Sequence, residues 1–134
     1  MPTAIDRLFA AMTAGDLDGT RDAFTPNARI WHNFDGIAHD RESLLRDWAN
    51  MFTAFPHRAI HDVRRQKSET GFVQQHMTVM TSATGKTFAW PTCIVFRIED
   101  DRIARLDEYI DRAGSFALEG GTPTTPGLTD RDDG

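Results

Sequence analysis

The stretch ARLDEYID, residues 104–111, holds three carboxylates in eight residues. Alternate residues of an extended strand point to opposite faces. Ala104, Leu106 and Ile110 therefore share one face with Glu108, while Arg105, Asp107, Tyr109 and Asp111 share the other. An ionised carboxylate on an apolar stripe is poorly hydrated, which disfavours the charge and raises the pKa. A Glu tuned toward neutrality in this way moves protons as acid or base. Glu108 is thus the candidate catalytic residue. The competing reading is a buried structural acid satisfied by Asn33, Gln75 or a tryptophan N–H. Asp107 and Asp111 read as surface charges beside Arg105.

The strand FVQQHMTVM, residues 72–80, supplies neighbours. Val73, Gln75, Met77 and Val79 alternate with Phe72, Gln74, His76, Thr78 and Met80. Placing the first set beside Glu108 makes Gln75 and Met77 substrate contacts. Gln75 then either donates to a substrate oxygen or holds Glu108. His76 points outward, and joins Glu108 only if a bulge shifts the register by one residue, which flips every side chain. Trp31 and Asn33 share a face earlier in the chain. Asn33 orients a ligand oxygen there, or caps the turn at Asp35-Gly36. His32 faces the other way with Ile30 and reads as an interface or helix-packing residue. Trp48, Met51 and Phe55 recur at helical spacing, and with Trp90 they read as core, as cavity wall, or as both.

The elements that position these residues follow from periodicity. Ile5, Leu8, Phe9 and Met12 predict a helix over 3–14, with Thr3 as N-cap and Gly15 as its stop. A short helix over 18–23 follows Asp16, then a turn at Pro26-Asn27 and an extended segment over 28–33. Asp40 caps a helix over 41–54, which Pro56 ends. Strands are expected near 58–68, 71–82, 87–99 and 102–111, with short polar breaks at 69–71, 83–86 and 100–101. Residues 114–134, rich in Gly, Pro, Thr and Asp, are expected to form a flexible tail behind a single domain over 1–113. The order predicts an α+β fold, with three N-terminal helices packed on one face of a curved antiparallel sheet and a conical apolar hollow between them.

Composition narrows the function classes. A chain of 134 residues, 40% apolar and 26% charged, suits one globular domain. The net charge of −5, with fifteen basic residues scattered among twenty acids, argues against a nucleic-acid partner. No apolar run is long enough to cross a bilayer, and the N-terminus lacks the pattern of a signal peptide, so a cytoplasmic protein is expected. Cys93 lies inside the apolar run TCIVF and reads as a structural thiol. His57 and His61 lie at an expected strand start, where their spacing does not gather ligands, and no Cys/His cluster has zinc spacing. No glycine-rich phosphate loop is present, and no cofactor or metal is implied.

The element order, the segment IWHNFDG at 30–36 and the ending RIARLDEYID at 102–111 resemble the nuclear transport factor 2-like superfamily, in its SnoaL-like and limonene epoxide hydrolase-like branches. The resemblance covers residues 3–113 and implies a cystatin-like cone. Similar cones serve isomerases, dehydratases, cyclases, epoxide hydrolases and non-catalytic binders. The epoxide hydrolase pattern is matched by Trp31 and Asn33, with Trp in place of Tyr, and by Glu108 before Tyr109. Its Arg-x-Asp pair falls on Gln75 and Met77, so one cation and one carboxylate are missing. The resulting expectation is a small-molecule enzyme of isomerase, dehydratase or cyclase type. It would use Glu108 for proton transfer on an apolar substrate, cyclic ones included, bound by Trp31, Asn33, Gln75, Met77, Trp48, Met51, Phe55 and Trp90. The alternatives are a non-catalytic hydrophobic-ligand-binding dimer and a divergent epoxide hydrolase. A homodimer through the outer sheet face is expected, because apolar outward positions would otherwise meet water.

Overall fold

The computed structural model describes residues 2–116. Helix α1 (Ala4–Ala14) starts at Thr3 in a capping box with Asp6 and stops at Gly15, whose φ of 74° is the left-handed conformation that favours glycine. Helix α2 (Leu17–Ala23) is capped by Asp16. Strand β1 (Phe24–His32) follows α2 directly, so no turn intervenes at Pro26-Asn27. Pro26 instead lies where the pairing of β1 slips between Phe24 and Arg29, a position that needs no N–H donor. A two-residue strand β2 (Ala38–His39) precedes α3 (Arg41–Ala54), and then come β3 (His57–Lys67), β4 (Gly71–Thr81), β5 (Thr87–Glu99) and β6 (Arg102–Ile110).

These strands form one curved, unclosed sheet in the order β2-β1-β6-β5-β4-β3. The last four strands run antiparallel, as expected, but β1 pairs with β6 in parallel, so the sheet is mixed. The antiparallel pairs are tied by short connections. Asp100 and Asp101 both take positive φ, the backbone of a two-residue hairpin whose twist matches its strands. Gly71 is required by contact: a Cβ there would stand 2.0 Å from the carbonyl oxygen of Phe96. Pro91 sits inside β5, and its carbonyl accepts from Asp111 N–H beyond the end of β6. Its missing N–H therefore faces that side and subtracts nothing from the β4 ladder.

The helices cover one face of the sheet. Ile5, Leu8, Phe24, Ile30, Leu44, Ile94, Phe96 and Ile103 are fully buried between the layers. Arg58 is a buried cation with no acid in ion-pair reach among the described residues. Its guanidinium donates to the carbonyls of Met12 and Thr13 at the end of α1 and of Phe52 and Phe55 at the end of α3. It thereby satisfies two carbonyl ends at once. Of the expected tail, residues 114–116 are described. Ser115 is fully buried, its hydroxyl accepts from Ala89 N–H, and Phe116 N–H donates to Ala89 C=O. The rest of the tail lies outside the described residues.

Candidate functional site

Between the sheet and the helices lies a cavity of about 480 Å³. Its wall is mostly apolar: Leu8, Phe9 and Met12 from α1, Leu44, Trp48 and Met51 from α3, and Ile30, Met80, Trp90, Ile94, Leu106 and Ile110 from the sheet. The polar groups on that wall are few. They are Glu108, His32 and Thr78 within the sheet, and Asp47, Asn50 and Arg112 from α3 and the chain after β6.

Glu108 reaches the cavity because β6 alternates, with Ala104, Leu106 and Ile110 buried on the same face. The parallel register then sets His32 of β1 directly beside it. His32 Nε2 lies 3.2 Å from Glu108 Oε1, and their side chains are only 11% and 18% exposed. A carboxylate and an imidazole thus meet inside a mostly apolar wall. His32 also stacks on Phe34, with ring centroids 4.8 Å apart.

The expected contacts divide between the two faces. Trp48, Met51, Phe55 and Trp90 line the cavity. Trp90 packs edge-on against Phe55 at 6.1 Å, and its indole nitrogen is sealed from water with no partner among the described residues. Trp31, Asn33, Gln75 and Met77 do not line the cavity, which corrects their expected face. Trp31 packs on Tyr109 across the outer surface, centroids 5.1 Å apart. Gln75, Met77 and Asn33 border a shallow hollow on that outer side, with Arg64 and Cys93. Asn33 behaves as an extra rung of sheet. Its backbone N–H donates to Glu108 C=O, while its side chain donates to Ile110 C=O and accepts from Ile110 N–H. It fixes the end of β6 from outside.

The opposite parity of β4 explains the error. Gln74, His76, Thr78 and Met80 are the buried residues, so His76 faces inward without any bulge in the β4–β5 pairing. Both faces of β4 carry apolar side chains, so alternation in the sequence does not say which is inside. The pairing decides it: Gln74 stands opposite Ile94, and Ile94 opposite Glu108, so all three share a face. A chain of polar contacts leads from the surface to His76. Asp6 accepts from Arg65, Arg65 Nε donates to Gln74 Oε1 at 2.8 Å, and Gln74 Nε2 donates to His76 Nδ1 at 3.0 Å. Because Nδ1 accepts, the ring proton sits on Nε2, which has no partner among the described residues. Phe9 packs edge-on against the ring at 5.1 Å. Burial pushes the His76 pKa down from 6.5 to about 4, against a smaller upward pull from the Glu108 charge. His76 is a neutral donor behind the cavity wall.

The mouth holds residues that sequence reasoning missed. Phe34 and Arg112 meet there, the guanidinium carbon 3.9 Å from the ring centroid. The loop carrying Phe34 is braced by Asp35 Oδ2, 2.7 Å from His39 Nε2, while His39 Nδ1 lies 2.9 Å from Ser43 Oγ. The N–H of Ile37, and then His39, hold the Asp35 carboxyl below its usual range. Among the described residues, no group of three or more His, Cys, Asp or Glu is placed to hold a metal. None of their helices is long and apolar enough to cross a membrane.

An apolar funnel between three helices and an unclosed, curved mixed sheet defines the nuclear transport factor 2-like class of α+β cones. The model of the SnoaL-like domain matches residues 5–106, and the chain belongs to that family. Solved structures agree in fold. A Catenulispora acidiphila protein with a ketosteroid isomerase-like fold, solved with trimethylamine, superposes with a TM-score of 0.75 at 14% identity, over 91% of this chain and 95% of its own. A candidate polyketide cyclase from Xanthomonas campestris gives 0.71 at 16% identity, over 81% and 87% of the two chains. IdmH, a candidate polyketide cyclase from Streptomyces antibioticus, gives 0.68 at 23% identity, over 81% and 89%. No curated protein matches the chain.

Proposed function

We propose that this chain is a cofactor-independent enzyme of cyclase, isomerase or dehydratase type, in which Glu108 transfers a proton on an apolar substrate held in the funnel, cyclic molecules included. The observation that carries this reading is the Glu108–His32 pair, 3.2 Å apart on the wall of an otherwise apolar cavity. The SnoaL-like family and the candidate polyketide cyclases of the same fold support it.

The chemistry follows from the groups present. Ionised Glu108 takes the proton from a carbon next to a carbonyl, with His32 Nε2 standing 3.2 Å from the carboxylate as its polar neighbour. In a cyclase the carbon left behind attacks a second carbonyl of the same molecule, and protonated Glu108 gives its proton to the alkoxide that forms; in an isomerase Glu108 returns the proton at another carbon. In a dehydratase the protonated Glu108 instead protonates a departing hydroxyl. Each path returns Glu108 to its starting state. Trp90 and Thr78 line the same wall from β5 and β4, the Thr78 hydroxyl bonded to that of Thr92. Trp48, Met51 and Phe55 exclude water and shape the pocket. The protein is inferred to act as a cytoplasmic homodimer, because Val95 and Tyr109 leave apolar surface on the outer face of the sheet.

Deuterium exchange into a panel of cyclic ketones in heavy water, followed by proton NMR, tests this. The wild type is expected to exchange at least one member well above buffer, and Glu108→Gln to lose that rate by about 10²–10⁴-fold while staying folded. Exchange unchanged in the variant, or absent throughout the panel, points to the rival: a non-catalytic binder of apolar molecules. The missing Arg-x-Asp pair leaves a divergent epoxide hydrolase as the weaker alternative, since the inner face of β4 carries Gln74, His76 and Thr78 there.

A further inference from the structure

We propose that Arg112 is the anchor for a carboxylate on the substrate, so that the natural ligand is an apolar acid whose charged end stays at the mouth. This deepens the reading of the funnel as a ligand cavity and rests on it. Arg112 follows the end of β6 and is exposed, yet it lines the cavity. Its guanidinium lies on the Phe34 ring, a contact that engages the flat face and leaves the N–H edges free. Among the described residues, no carboxylate comes within ion-pair distance of it, and no hydrogen bond engages its nitrogens. An unpaired guanidinium held in place on an aromatic ring presents the fork that binds a carboxylate through two parallel hydrogen bonds.

The remaining charges favour the same orientation. Arg112 is the one Arg or Lys among the described residues of the wall, while Asp47 at the mouth and Glu108 inside are acids. A ligand carboxylate is repelled from Asp47 and from the Glu108 position, and is attracted only at Arg112. The apolar body then fills the space between Trp48, Met51 and Trp90, with its reacting carbon toward Glu108. The braced Asp35–His39–Ser43 loop keeps Phe34, and with it the guanidinium, at the rim.

Quenching of tryptophan emission by naphthoate and by its uncharged methyl ester tests the assignment, since Trp48 and Trp90 line the cavity. At low salt the wild type is expected to bind the acid about tenfold or more tighter than the ester, as a charge-assisted pair provides. Arg112→Gln is expected to erase that preference with the ester affinity unchanged, and added salt to weaken only the acid. An acid preference that survives in Arg112→Gln, or none in the wild type, overturns the proposal. If neither compound quenches the wild type, the cavity reading falls and takes this inference with it. Glu108→Gln, by contrast, is expected to keep the acid preference even as proton exchange is lost, which separates the two readings.

Discussion

His32 and His76 both point to the helix-covered side of the sheet, one strand from β6 and two strands from it, and their surroundings differ in every respect that matters for proton transfer. His32 touches Glu108 and keeps contact with the cavity, stacked against Phe34 at the mouth. His76 is 2% exposed, closed in by Phe9, and its Nδ1 accepts from an amide that is itself fixed by Arg65. The first is a partner for an acid; the second is held neutral by burial. The same residue type on the same face thus meets either an ionisable side chain at the cavity or a buried chain of polar contacts.

The comparison breaks most readily at Glu108. Beyond the exchange rate, the melting temperature of Glu108→Gln is expected to stay within a few degrees of wild type. A variant that does not fold would make the acid structural and erase the contrast with His76. The next effect belongs to His76 and stability. Unfolded, its imidazole takes a proton near 6.5; folded, only near 4. The unfolded chain therefore binds more protons between those values, so stability falls as pH drops through that window and is unaffected by this group above it. The loss amounts to about 3 kcal/mol by pH 4. Urea unfolding at pH 7 and pH 4.5 is expected to show a shallower acid loss in His76→Met than in wild type, and equal slopes would contradict the sealed, neutral ring.

A smaller effect is expected at Asn33. Asn33→Leu removes both side-chain bonds to Ile110 and should cost about 1–2 kcal/mol. Its proton-exchange rate should fall several-fold through the displaced end of β6, with affinity for naphthoate ester preserved. A fall in affinity instead would place Asn33 in the ligand site after all. The smallest effect sharpens the role of His32. His32→Asn is expected to slow exchange by about tenfold. An unchanged rate would show that Glu108 acts without its neighbour.

What could be read from residues 1–134 follows from local physics. Three- and four-residue spacing marked α1 and α3, and Thr3, Asp16 and Asp40 marked helix starts because their side chains accept from backbone N–H groups that no helix turn satisfies. The hairpins from β3 to β6 were legible from short polar breaks, and the inward Glu108 from alternation on a strand whose other inward residues are all apolar. Helical spacing marked Trp48, Met51 and Phe55 as one apolar face, and left open whether that face is core or cavity wall. Which face of β4 and β1 turns inward was not, because both faces of those strands carry large apolar side chains and a one-residue choice inverts them all. Pairing across β5 settled β4, placing His76 inside and Gln75 outside. The parallel register of β1 on β6 settled the rest, since it alone brings His32 to Glu108 across 76 residues of sequence. Local patterns record what each segment prefers to bury. Only strand pairing, a property of segments far apart in the chain, records against what.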